Sequence, residues 1–342
     1  MTNRLRETAP PCSLPMARTS GDGMKLGHEI LYLSSADVEA CGLGLDAVEA
    51  AVEAMFAAKA QGRALMKPKL GLQASNGTLF LASAGVMETP AYGGVKWLGV
   101  ADNDQRNLPH IAGLILLNDV ETGMPVAAMD ARWITGVRTA AITAVAARRL
   151  ARADAASIGF IACGLQARAH LAALRSGFPI TRVRAYSRRL ATAERFAAEA
   201  RGQGLEAEAV DAPRAAIENM DIVVTSTPVV PRTMPFLDAD WLAPGSFTAM
   251  VDLGRSWHAE SLSGLDRVVT DDIAQAGPEN LAYAKPYDGE VADLVSGDLP
   301  ARLTDAERTG LVFAGLGLAD IAVAAAVYER AVAQRIGQVL AL

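Results

Sequence analysis

The chain has 342 residues, a formal net charge of -6, and 51% hydrophobic but only 5% aromatic residues. Such a length suits two cores, and an apolar, Ala- and Gly-rich composition excludes a disordered chain and favours helices packed closely on a sheet. Interspersed acidic and basic residues give neither the electrostatic footprint of a nucleic-acid binder nor a polybasic membrane patch.

The first 23 residues, with Pro10, Pro11 and Pro15, read as a flexible tail or an upstream start before Met24, since they lack an apolar signal-peptide core. Leu31–Leu33 predicts a strand, Ser34-Ser35-Ala36-Asp37 a helix cap, and Val38–Ala60 one helix. Short strands follow at Lys69–Gln73, Thr78–Ala82, Gly94–Val100, Gly113–Asn118 and Pro125–Asp130, with Ser75-Asn76-Gly77, Asp102-Asn103 and Glu121-Thr122-Gly123 as turns. This is the pattern of a mostly antiparallel sheet. A long helix from about Trp133 to Arg152 follows.

From Ala156 strands alternate with helices: Ser157–Ala162, Arg182–Tyr186, Asp221–Ser226, Ser246–Val251 and Arg267–Thr270, with helices such as Leu190–Arg201 between them. That rhythm predicts a doubly wound parallel sheet. A last helix, Ala319–Ala333, is expected to return to the first unit. The expected fold is therefore α/β, with residues 138–318 as a Rossmann dinucleotide-binding domain and residues 24–137 with 319–342 as a mostly antiparallel α+β substrate and dimerisation domain.

The cysteines (Cys12, Cys41, Cys163) and histidines (His28, His110, His170, His258) show no CxxC or HExxH spacing. Neither a disulfide framework nor a metal site is expected, and the setting reads as reducing and cytoplasmic. No charge-free apolar run reaches the ~18 residues of a membrane span.

Ile158-Gly159-Phe160-Ile161-Ala162-Cys163-Gly164-Leu165-Gln166-Ala167 is a buried strand running into a turn with small residues at Ala162, Gly164 and Ala167. A dinucleotide turn needs small residues at these places, for the tight bend, the approach of the pyrophosphate, and helix–strand packing. The helix opening at Leu165 then aims free N–H groups and its positive end at phosphate. Cys163, inside this turn, reads as a packing residue. The second strand ends in Tyr186-Ser187-Arg188-Arg189, without the acid that would bind ribose hydroxyls. Ser187, Arg188 and Arg189 suit a 2′-phosphate, hence NADP(H) over NAD(H); alternatively both arginines cap the next helix in solvent. Thr225, Ser226 and Thr227 follow a parallel strand and either face the cofactor crevice or form an ordinary polar turn.

At this point the chain resembles the ornithine cyclodeaminase/μ-crystallin family. The resemblance rests on Gly94-Val95-Lys96-Trp97, Leu117 to Pro125, Ile134-Thr135-Gly136-Val137-Arg138-Thr139-Ala140-Ala141, Gly164-Leu165-Gln166-Ala167 and Gly317-Leu318-Ala319-Asp320. Leu108 to Leu114 and Val251 to Trp257 look closest to the branch of ectoine-utilisation protein C. The resemblance implies a homodimer formed through the first domain and a substrate site between the domains. It also implies hydride exchange between a nicotinamide and an α-carbon bearing nitrogen, on an amino, imino or 2-oxo acid. Three readings follow: an NAD(P)-dependent oxidoreductase, a cyclodeaminase that releases ammonia and recycles its NAD internally, or a non-catalytic cofactor-bound binding protein.

By resemblance Lys96 meets the substrate carboxylate; a lysine within an apolar strand needs such a reason, unless it snorkels from an edge. Arg138, inside an apolar helix, either grips that carboxylate bidentately or pairs with Asp130 or Asp119. By resemblance Lys69, in Lys67-Pro68-Lys69, supplies a third cation for the substrate where the family often has an arginine, unless Lys67 and Lys69 are an exposed pair. His110 aligns with a hydroxyl residue of cyclodeaminases and either relays a proton or is structural. Asp252 falls one residue before the cyclodeaminase acid, without its glycine pair, and either holds a water or amino group or caps a turn. Asp320 is expected to be structural or a helix-end partner of the cofactor. A substrate clamp further requires that Lys96 and Arg138 approach each other with no protein carboxylate already pairing both.

Overall fold

A computed structural model describes residues 24–228, 234–280 and 286–342; the expected tail at 1–23 lies outside them. The chain opens with β1 (Glu29–Leu33), α1 (Ser35–Ala40), α2 (Leu45–Ala60), β2 (Ala64–Met66), β3 (Leu70–Gln73), β4 (Leu79–Glu88), β5 (Ala91–Val100), β6 (Ile111–Asp119), β7 (Pro125–Asp130) and α3 (Arg132–Leu150). It continues with β8 (Ser157–Ile161), α4 (Leu165–Gly177), β9 (Arg182–Tyr186), α5 (Leu190–Gly202), β10 (Glu206–Ala209), α6 (Pro213–Ile217), β11 (Ile222–Thr225) and β12 (Phe247–Met250). The last elements are β13 (Arg267–Thr270), α7 (Ile273–Asn280), β14 (Gly289–Glu290), α8 (Val291–Ser296), β15 (Thr309–Val312), α9 (Gly317–Gln334) and β16 (Gln338–Ala341).

One helix expected over Val38–Ala60 is two. Ser34 caps α1 in a reciprocal box with Asp37, Gly42 turns the chain at φ 61°, and Gly44 starts α2. An L residue with a side chain pays heavily at such a φ, so the glycine breaks the helix despite its alanine-rich flanks.

The first sheet has the order β16-β1-β7-β6-β5-β4-β2, with β3 also on β4. It is antiparallel except for β1 on β7. The second sheet, β10-β9-β8-β11-β12-β15-β13-β14, is parallel throughout. Its first strands run outward in both directions from β8, so the order reverses between β8 and β11. Ligands of such sheets bind at that reversal, outside the carboxyl ends of the strands.

Helices α3 and α9 close the core between the sheets. The expected division at 137/138 and 318/319 falls inside these two helices. Helix α9 lies hard against β4 and β5 because two glycines admit it: a Cβ on Gly85 would stand 2.8 Å from Leu318 Cδ2, and one on Gly94 3.0 Å from Ile321 Cδ1. That approach sets Asp320 over Lys96. Strands β2, β10, β14, β15 and β16 were not predicted; they are two to four residues long, too short to display a period of two.

Candidate active site at the carboxyl edge of the parallel sheet

Strand β8 ends in Ala162 at φ 68° and Gly164, the residue before α4. No side chain caps α4, so its first N–H groups remain available. A Cβ on Gly164 would meet no heavy atom within 4 Å, leaving open space over the helix end. Backbone donors, a positive helix end and a vacant approach together fit a pyrophosphate. Behind the turn, Cys163 is buried and its thiol is pushed up to about 12, mainly by burial, which makes it a packing residue rather than a thiolate. At the end of β9, Ser187 is half-buried while Arg188 and Arg189 are exposed, and neither guanidinium has a partner among the described residues.

The cations gather at the same edge. Lys96 is buried on β5, a central strand between β4 and β6, so it is no snorkelling edge lysine. Arg138 is buried on α3. Asp320, one of the few charged residues of the apolar α9, joins them: Oδ2 lies 2.7 Å from Lys96 Nζ, and Oδ1 accepts from Arg138 Nε at 3.0 Å. This corrects the expectation that no protein carboxylate pairs both cations. The alternative partners are engaged elsewhere: Asp130 accepts from the Arg132 N–H, and Asp119 accepts from Thr122.

Lys69 completes the group from the segment before β3. Its Nζ donates to the Ala314 carbonyl at 2.7 Å, and its own N–H donates to Gln275 Oε1. Asp271, at the end of β13, accepts from the N–H groups of Ala314 and Gly315. Burial lowers the Lys96 ammonium to about 8; Asp320 pulls it up, while Arg138 and Lys69 push it further down. Burial likewise lowers Lys69 and raises Asp271. Helix α3 brings this cluster to the phosphate turn: a Cβ on Gly136, two residues before Arg138, would lie 3.7 Å from Leu165 Cδ2.

Two expected residues stand apart. His110 is exposed at the β5–β6 connection, with Nδ1 3.0 Å from the Ala101 carbonyl. The strand register pairs Lys96 with Ile115, which leaves His110, just before β6, about 17 Å further along. Asp252 is buried just after β12 with both oxygens occupied by hydroxyls: Thr225 at 2.9 Å, Thr227 at 2.9 Å and Ser256 at 2.6 Å. The Thr225 hydroxyl is therefore turned inward, where Trp257 Nε1 also reaches it, and Ser226 faces the Ala162 carbonyl. This set caps the ends of β11 and β12 beside the crevice.

Asp271 was missed, although an acid directly after a parallel strand lies at the ligand edge by construction. Asp320 carried a signal too, an aspartate in the run Gly317 to Val327 that is otherwise apolar.

The model of the ornithine cyclodeaminase/mu-crystallin family matches residues 29–335. The chain belongs to that family. Among its relatives, the alanine dehydrogenase of Archaeoglobus fulgidus is 33% identical over 322 residues, covering 90% of this chain and 97% of that protein. An archaeal alanine dehydrogenase dimer with bound NAD superposes with a TM-score of 0.82 at 31% identity, over 91% of this chain and 99% of the other. The Thermococcus litoralis Delta(1)-pyrroline-2-carboxylate reductase in complex with NADH and L-proline gives a TM-score of 0.82 at 27% identity, over 90% and 99%. The two-sheet architecture is thus that of nicotinamide-binding members of the ornithine cyclodeaminase/mu-crystallin family. No helix among the described residues is long and apolar enough to cross a membrane.

Proposed function

We propose that this chain is an NAD(P)-dependent oxidoreductase that reduces the imine of an amino acid, or forms an amino acid from a 2-oxo acid and an amine. The observation that carries this reading is the buried cluster of Lys69, Lys96 and Arg138 beside a bare phosphate turn, on one edge of the parallel sheet. Asp320 already joins Lys96 to Arg138, but three cations face only two carboxylates and the terminal nitrogens of Arg138 have no partner among the described residues. A further anion therefore balances the group; the acids of alanine dehydrogenation and proline formation each carry one. Gly164, Leu165, Gln166 and Ala167 would hold the pyrophosphate, with Ser226 and Thr227 at the crevice wall; Thr225, fully buried with its hydroxyl on Asp252, supports that wall from behind and does not face the cofactor. A bound reduced nicotinamide supplies hydride at the α-carbon. Arg138, Lys69 and Lys96 fix the substrate carboxylate, since positioning supplies much of the rate. Lys96, with its ammonium near 8, is suited to give up a proton to nitrogen near neutral pH.

Asp252 favours a reductase over a cyclodeaminase. A base serving a distal amine must reach the substrate, and this carboxylate is buried with each oxygen already accepting from a hydroxyl. His110 has no role in this reading within one chain. For the cofactor we favour NADP(H), on the exposed Arg188 and Arg189, which have no partner among the described residues, and the absence of an acid at the end of β9. A homodimer fits the outer face of the first sheet, where Leu65, Val86, Trp97, Leu114 and Leu116 are all exposed. Membership of the ectoine-utilisation branch rests on the Leu108–Leu114 and Val251–Trp257 stretches alone.

A steady-state panel of 2-oxo acids with ammonia or methylamine, run with NADH and NADPH, tests the proposal. Net consumption of reduced cofactor is expected, with tighter binding of NADPH. Ammonia release from diamino acids without net cofactor change would make the chain a cyclodeaminase, and no turnover of either kind a binding protein. Equal titration curves for the two cofactors would dismiss the 2′-phosphate role of the arginines.

A further inference from the structure

Asp320 is 1% exposed, and its side chain does more than neutralise a neighbour. It takes Arg138 at Nε alone, which leaves both terminal nitrogens of the guanidinium without a partner among the described residues. It takes Lys96 Nζ through a single contact at 2.7 Å, leaving that ammonium two further donors. Lys69 Nζ keeps donors beyond its bond to the Ala314 carbonyl. The groups that face Lys96 are Asp320 from α9, Arg138 from α3 and Lys69 from before β3, with Asp271 from β13 acting on the latter two. Three cations thus stand against two carboxylates.

We propose that Asp320 is a positioning residue of the substrate site: by engaging Arg138 and Lys96 from behind it aims their remaining donors at one carboxylate, and it sets the charge of the cluster to take one anionic group rather than two. This inference rests on reading the cluster as the carboxylate site. Without Asp320 the terminal fork of Arg138 is released to turn away from the neighbouring ammonium groups, and Lys96 loses the charge that favours its protonated form. Below its midpoint, where Lys96 is still protonated, the cluster gains room for a second negative group. The selected substrate class is therefore the monocarboxylic 2-oxo or imino acid.

The test measures binding, not turnover. Pyruvate (one carboxylate) and malonate (two) are titrated calorimetrically into the cofactor-saturated protein between pH 6 and 9.5, on the order of the range in which a perturbed lysine titrates. An anion prefers the protonated Lys96, so wild-type pyruvate affinity should be full below about 8 and fall as pH rises through it. In Asp320→Asn the midpoint of that fall should drop by about one pH unit or more, and malonate should gain on pyruvate by about ten-fold or more. A lower melting temperature with midpoint and selectivity both unchanged would overturn the proposal and leave Asp320 purely structural. Should Asp320→Asn fail to fold, Asp320→Glu serves instead: it keeps the charge but displaces the oxygens that hold Arg138 and Lys96. Pyruvate affinity should then fall about ten-fold with the preference over malonate kept, and unchanged pyruvate affinity is fatal to the proposal. Wild-type protein that binds neither acid at any pH would remove the carboxylate reading itself, and this proposal with it.

Discussion

At the end of β8 the chain offers a ligand almost nothing but backbone: an uncapped helix, a glycine with open space over it, and a turn strained at Ala162. Where α3 meets that turn, α3, β5 and α9 offer the reverse, long charged side chains that are buried and already paired through Asp320. The first region binds by what it leaves out, so adding atoms destroys it. The second binds by charges whose desolvation has been met in the fold, so small changes of shape or charge weaken it without emptying it.

The contrast orders the expected effects. Gly164→Val should abolish cofactor binding, followed by the fluorescence of reduced cofactor, with an unchanged circular dichroism spectrum, because a Cβ there meets no protein atom within 4 Å. Retained cofactor affinity would show that the phosphates lie elsewhere. Arg138→Lys keeps the charge and loses the fork. Its loss of substrate affinity should be ~10- to 150-fold, from the ~1.5–3 kcal/mol of a charge-assisted hydrogen bond, with cofactor binding intact. A variant with normal kinetics and a lower melting temperature would make Arg138 a structural partner of Asp320 only.

The smallest effect concerns the joint between the two regions. His170, on α4, is fully buried; its Nδ1 donates to the Gln166 carbonyl at 2.8 Å and its Nε2 accepts from Thr143 of α3 at 2.9 Å. Burial lowers it to about 4. Since its folded pKa lies below the unfolded value, the unfolded chain binds the proton first as pH falls. Stability from this group is therefore present above about 6.5 and lost on the way down to about 4, by at most about 3 kcal/mol. Thermal melts across that range should show the slope, and His170→Gln should flatten it; an equal slope in both proteins would assign it to other groups.

Much of this was legible in the residues. The phosphate turn follows from local chemistry, because a strand, small residues and a helix start are contiguous from Ile158 to Ala167 and need no distant partner. The same holds for the alternation that produced the parallel sheet, and for the break at Gly42 in hindsight, since a left-handed turn is a property of one residue. Lys96 and Arg138 stood out because charge inside an apolar pattern demands compensation. What compensates them did not: Asp320 lies 182 positions from Arg138, and only the packing of α9 on Gly85 and Gly94 brings it there. The fate of Asp252 was equally hidden, because the hydroxyls that occupy it come from three positions on two sides of the strand edge. His110 lies outside β6, five residues before the register partner of Lys96, and that distance along the strand keeps it from the site. The sequence by itself determined which groups this protein bears and which of them needed a partner, since those are local properties of residue type and spacing. Only the tertiary structure decided which partner each one met, because contacts between distant segments depend on how closely backbones approach, and in this chain two glycines set that distance.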